Sequence, residues 1–151
     1  TALADDEMPI SAMVFLEDEI IAQAYTTESK EKRYLVHAEL NALLDADKQG
    51  YSIPERKKMQ LFTTLEPCLM CYGAAMVFFI GEIYYSLGAP DDGAMRLIKF
   101  EKFDGGFLQF QNPVCQSGIL VEEAKALFVE HMEIAKEGVF YDFSKAIVEA
   151  N

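Results

Sequence analysis

The sequence has no tryptophan, two histidines and three cysteines, and its 13 basic residues are outnumbered by 25 acidic ones. Each shortage excludes something. Three cysteines cannot pair completely, and Cys68 and Cys71 share one C-x-x-C. That is not a disulfide framework, and it fits a reducing, cytoplasmic setting. The formal charge of −12 works against phosphate-rich partners, because nucleic-acid affinity draws on Lys and Arg. The two basic clusters, Lys30–Arg33 and Glu55–Lys58, read as solvated faces. No apolar run reaches the ~18 residues a membrane helix needs. The longest uncharged one is Cys68 to Ile80. No secretory n-region or h-region is visible. The first residue is Thr1 rather than methionine, which fits a trimmed N-terminus. No repeat, low-complexity tract or linker interrupts the 151 residues, so one domain over 1–151 is expected.

The hydrophobic pattern supplies the elements. Ile10–Glu17 is apolar and reads as a buried strand, and the polar turn after it leads into a second strand, Ile20–Tyr25. Thr26 to Arg33 is polar and reads as loop. From Val36 the period changes: Val36, Leu40, Leu43 and Leu44 share a helical face that ends near Asp47. Gln60–Leu65 is a strand, and Pro67 opens a helix from about Cys68 to Phe79, closed by Gly81. Glu82–Leu87 is a fourth strand, and a helix follows from Ala94 to Lys102. The "FDGGF" stretch breaks the pattern before a short fifth strand around Val114–Ile119. Val121 to Glu137 is amphipathic, with Ala124, Leu127, Phe128, Met132 and Ala135 in one stripe, and Gly138 stops it. A last helix is expected over Asp142–Ala150. A hairpin followed by alternating helices and strands points to an α/β sandwich with a mixed sheet. The Cys68–Ile80 helix carries no charge on any face. Such a helix is buried all round, one side on the sheet and the other on a second subunit.

Cys68 and Cys71 are three apart at a helix start, so they project together where the helix dipole favours thiolate. That suits a redox pair, half of a structural zinc site, or part of a catalytic one. His37, in His37-Ala38-Glu39, adds a third soft or borderline ligand. Structural zinc takes four protein ligands, and catalytic zinc takes three and keeps one position for water. The remaining Cys115 and His131 lack ligand spacing. Cys115 reads as a small buried hydrophobe and His131 as a half-exposed helix residue. Three ligands is therefore the natural count. Two thiolates weaken the Lewis acidity of the metal, which makes a nearby proton carrier valuable. Glu39 is the candidate. On a regular helix, residues two apart point in different directions, so spacing alone does not bring Glu39 to His37.

The pattern H-x-E…P-C-x-x-C is that of zinc nucleobase deaminases, and His37-Ala38-Glu39 with Pro67-Cys68-Leu69-Met70-Cys71 is similar to it. The chain resembles the cytidine/deoxycytidylate deaminase-like family over nearly its whole length. "TLEPCLMCYGAAM" and "QSGILVEEA" are closest to the branch of tRNA-adenosine, guanine and cytosine deaminases. The family's first helix looks short here. The resemblance implies a three-layer α/β/α sandwich with a five-stranded mixed sheet, a homodimer, and one Zn²⁺ per chain on His37, Cys68 and Cys71. It implies that Glu39 takes a proton from water, passes it to a ring nitrogen and then to the leaving amine. Backbone near Ala38 and Cys68 would hold the substrate, with Glu66 and Pro67 beside it.

Departures bear on the substrate. The tRNA branch typically carries an Asn where Thr26 stands, a "PTAHAE"-like lead-in where this chain has "RYLVHAE", and a basic tail. The tail here is acidic and aromatic, and Phe140, Tyr141 and Phe143 are candidates to close a small pocket. An amphipathic helix packed on the sheet explains those aromatics equally well. The expectation is therefore a hydrolytic deaminase of a small nucleobase or nucleoside, not a nucleic-acid or membrane protein. The alternatives are a tRNA adenosine-to-inosine deaminase, a catalytically silent zinc scaffold, and a redox dithiol.

Overall fold

The computed structural model describes residues 1–97 and 111–151. Among them, five strands form one sheet: β1 (Ser11–Leu16), β2 (Glu19–Tyr25), β3 (Met59–Leu65), β4 (Glu82–Leu87) and β5 (Val114–Ser117). The order is β2-β1-β3-β4-β5. β1 runs antiparallel to β2 and β3, while β3, β4 and β5 are parallel. The mixed five-stranded sheet of an α/β sandwich is therefore present.

The alternation inside β3 and β4 explains their registration. Leu61, Leu65, Ile83 and Leu87 are buried, while Phe62, Thr64, Tyr84 and Ser86 on the opposite face are partly open. A slip by one residue would reverse both rows. Onto the buried row pack α2 (Ala38–Asp47) and α4 (Leu69–Phe78), through Ala42, Leu43, Tyr72, Ala75 and Phe78. The ends of β3 and β4 carry a second cluster, in which Leu65 and Leu87 meet Ala124 and Phe128 of α6 (Val121–Ala135) and Ile147 of α7 (Val139–Ala150). On the open face Phe15, Phe62 and Tyr84 form an aromatic row, Phe62 stacked on Tyr84 at 4.7 Å.

Several expectations need correction. The stretch read as loop contains a short helix, α1 (Glu28–Glu31). A single turn is unstable alone, but the buried Glu7 carboxylate accepts from the backbone N–H of Ser29 (3.1 Å) and of Lys30 (2.6 Å). A second turn, α3 (Ile53–Arg56), starts at a capping box between Ser52 and Glu55. The uncharged helix ends at Phe79, which adopts a left-handed conformation (φ 70°). Gly81 is needed for a different reason, since a Cβ there would collide with the Lys57 carbonyl. Leu69 and Val77 of α4 are 54% and 64% exposed, so the helix is not covered all round within one chain. His131 is buried, not half-exposed, because Ser144 of α7 meets its Nδ1 at 2.9 Å. The last helix begins at Val139, three residues earlier than expected. Cys115 is half-buried against the main core. Of the helix expected after Ala94, Ala94–Leu97 (α5) is described. The rest of it, and "FDGGF", lie outside the described residues. Among the described residues, no helix is long and apolar enough to cross a membrane.

Candidate active site

Two helix starts face each other across the sheet end. His37 is the residue that caps α2, and Cys68 caps α4. Both have extended backbone, with ψ of 150° and 169°. This solves the geometry that spacing could not. Because His37 lies outside the helix, the two-residue offset to Glu39 is not the offset of a regular helix, and both side chains reach one point. Cys71 follows on the first turn of α4, fully buried.

The His37 Nδ1 lies 3.6 Å from Cys68 Sγ and 3.6 Å from Cys71 Sγ. The three ligand atoms all fall within 4.8 Å of one another. Zinc bonds of about 2.3 Å to sulfur and about 2.05 Å to nitrogen, at a tetrahedral angle, separate N and S by about 3.5–3.6 Å. The donor set is therefore spaced for zinc. It also has the right chemistry, with one imidazole, two thiols and no fourth protein ligand among the described residues. Beside it Glu39 is buried, and its Oε2 has no hydrogen-bond partner. A buried, unpartnered carboxylate oxygen is costly unless something outside the protein meets it.

These groups border a cavity of about 190 Å³. His37, Glu39 and Cys68 form one side of it, with Glu28, Glu66 and Asp92 adding carboxylates. Met8, Ile10, Leu65, Val139, Phe140 and Phe143 form the apolar part. Of the residues singled out in the sequence, Glu66, Phe140 and Phe143 thus reach the wall. Thr26, Ala38, Pro67 and Tyr141 do not. Thr26 is buried and donates to Glu28 Oε2 at 3.3 Å. Ala38 and Pro67 are buried behind the wall. Glu66 is a brace: its Oε1 accepts from Met95 N–H (2.8 Å) and its Oε2 from Ala89 N–H (3.1 Å). Gly93 packs so close to that carboxylate that a Cβ would lie 2.5 Å from it.

A family model described as "Cytidine and deoxycytidylate deaminase zinc-binding region" matches residues 1–87. The chain belongs to this deaminase family. A tRNA-specific adenosine deaminase of Bacillus subtilis (strain 168) is 31% identical over 121 residues, covering 78% of this chain and 71% of that protein. A tRNA(Ile)-lysidine synthase of Deinococcus radiodurans is 39% identical over 125 residues, covering 82% of this chain. This chain spans only 21% of that larger protein. The solved structure of NE0047 in complex with 2,6-diaminopurine superposes with a TM-score of 0.67 and 26% identity, covering 91% of this chain and 76% of that one.

The charges of this site are mutually dependent. A hydrogen bond from Cys71, helped by His37, holds the Cys68 thiol down at about 4. The Cys71 thiol, donor in that bond and buried, is pushed far up. The thiolate at Cys68 raises His37 to about 9. Burial pushes Glu39 up to about 7, where a carboxyl can both take and give a proton near neutrality. Two neighbours of the donor set carry no signal in the sequence. Asp92, with a buried Oδ1 that has no partner, comes from a loop that carries no pattern of its own. Glu28 comes from the turn that Glu7 orders, and only the distant contact reveals it.

Proposed function

We propose that this chain, as one zinc deaminase domain over residues 1–151, hydrolytically deaminates a small amino-heterocycle, a free base or nucleoside. The observation that carries this reading is the small cavity at the donor set. At about 190 Å³ it has room for one heterocyclic base, and Val139, Phe140 and Phe143 of the same chain wall it. Glu28, Glu66 and Asp92 give it acidic character, and the net charge is −12. Both disfavour phosphate.

In this reading His37 Nδ1, Cys68 Sγ and Cys71 Sγ hold one Zn²⁺. When bound, the metal supplies an activated water. Glu39 takes a proton from the attacking water and gives it to the ring nitrogen; it then takes the second proton from the hydroxyl of the tetrahedral adduct and passes it to the amine, so that the C–N bond breaks, ammonia leaves and a carbonyl remains. Its burial and its partnerless Oε2 support that role. The apolar wall offers a flat ring nonpolar contact beside Glu39. A reducing compartment, the cytoplasm, keeps both thiols available to metal. A homodimer is part of the proposal, because Leu69 and Val77 of α4 stand exposed.

A second reading, adenosine-to-inosine deamination of tRNA, is favoured by one observation: the B. subtilis relative is a tRNA-specific adenosine deaminase. Ammonia release decides between them. Guanine, adenine, cytosine, their nucleosides and aminotriazines are offered beside an anticodon stem-loop. The proposal expects zinc-dependent release from a free base or nucleoside. Release from the stem-loop alone overturns it in favour of the second reading.

A further inference from the structure

We propose that Glu28 orients the metal ligand His37 from behind, and that buried Glu7 holds Glu28 in place to do so. The inference rests on the zinc reading above and concerns the protein half of that site.

The His37 ring has its two nitrogens committed to opposite sides. Nδ1 faces both thiols at 3.6 Å. Nε2 faces Glu28 Oε1 at 3.7 Å. An imidazole that gives its Nδ1 lone pair to a metal carries its one ring proton on Nε2. Metal-binding histidines almost always offer that proton to a carboxylate, carbonyl or water, which fixes the tautomer and raises ligand basicity. Glu28 is the carboxylate standing there. At 3.7 Å the contact is longer than a hydrogen bond, and it marks the side toward which Nε2 faces in the metal-free protein. Both side chains are shielded, at 25% and 12% exposure, so water competes little for the Nε2–H that faces Glu28.

Glu28 is itself held from two sides. Thr26 Oγ1 donates to its Oε2 at 3.3 Å, leaving Oε1 for His37. Its backbone opens α1, whose next two N–H groups are gathered by Glu7. Glu7 is fully buried, and each of its two oxygens accepts one of those N–H groups. Ordering α1 is what a buried carboxylate does at that position. The chain of contacts runs Glu7, α1, Glu28, His37.

Because Glu28 also borders the cavity, the alternative is a substrate contact. The test therefore contains no substrate. The metal-free full-length protein is titrated with Zn²⁺ against a chromophoric chelator at fixed pH, with its thermal unfolding measured alongside. Glu28→Ala is expected to weaken zinc binding about 10–100-fold while the metal-free unfolding midpoint stays put. Glu28→Gln retains an oxygen acceptor without the charge, and a smaller but measurable loss, about three- to tenfold, is expected of it. Glu7→Ala, which touches no ligand, is expected to weaken zinc binding in the same direction. Parent-like zinc affinity in Glu28→Ala overturns the proposal. If that variant fails to fold, an affinity in Glu28→Gln identical to the parent's overturns it instead. A parent protein that takes up no zinc defeats the zinc reading itself, a separate outcome from parent-like affinity in the variants.

Discussion

Replacing Glu39 by glutamine separates the cost of the site from its use. Burial raises this carboxyl from its ordinary 4.5 to about 7 in the metal-free protein. The sign follows from linkage: a raised folded-state value means that Glu39 opposes folding once ionised, so its favourable contribution is complete below about 4.5 and lost as pH rises through about 7. At 1.36 kcal/mol per pH unit, the gap is worth about 3 kcal/mol by pH 8.5 and about 1 kcal/mol at pH 5. Glutamine fills the same space and does not titrate. Glu39→Gln should therefore stabilise the metal-free protein increasingly with pH. At about 2–4 °C per kcal/mol for a chain of this size, the gain at pH 8.5 is about 6–12 °C. Urea and thermal melts of both proteins with chelator present, between pH 5 and 8.5, measure it. A difference that stays flat with pH, or a variant less stable at pH 8.5, refutes the burial cost assigned to Glu39. The same variant loses deamination, because the amide can neither take nor return a proton.

Other parts of the fold give four further outcomes. Gly93→Ala puts a methyl 2.5 Å from the Glu66 carboxylate and should cost about 1–3 kcal/mol in a chemical melt. Ser144→Ala leaves buried His131 without its partner and should cost about 1–3 kcal/mol. His131 is held below its ordinary 6.5 by burial, so the stability it contributes is present above about 6.5 and is lost as pH falls below it, which a pH series of melts detects. Phe140→Ala with Phe143→Ala opens the cavity wall. KM for a free base should rise about tenfold, with zinc content unchanged in metal analysis.

Much of the fold and the site was readable because it is local. The strands β1 to β4 follow from apolar runs between turn residues, and His37, Cys68 and Cys71 from a two-part motif. The misses share a cause: their ordering partners lie far away in sequence. α1 looks polar and unstructured until Glu7 is seen to gather its N–H groups. His131 looks half-exposed until α7 brings Ser144 onto it. Glu28 and Asp92 enter the site from turns whose sequence carries no periodicity. Only α3 had a local signal that went unread, since Ser52 and Glu55 have capping-box spacing. For Glu39 the helical rule was sound but misapplied, because His37 precedes the helix.

Zinc-dependent hydrolysis of a small amine-bearing ring, with Glu39 as proton carrier, is open to direct measurement. Ammonia release is followed with zinc-loaded protein, with the same protein after chelation, and with Glu39→Gln. Release from a free base or nucleoside is expected of the first only. Release that survives chelation or the Glu39 substitution contradicts the proposed chemistry.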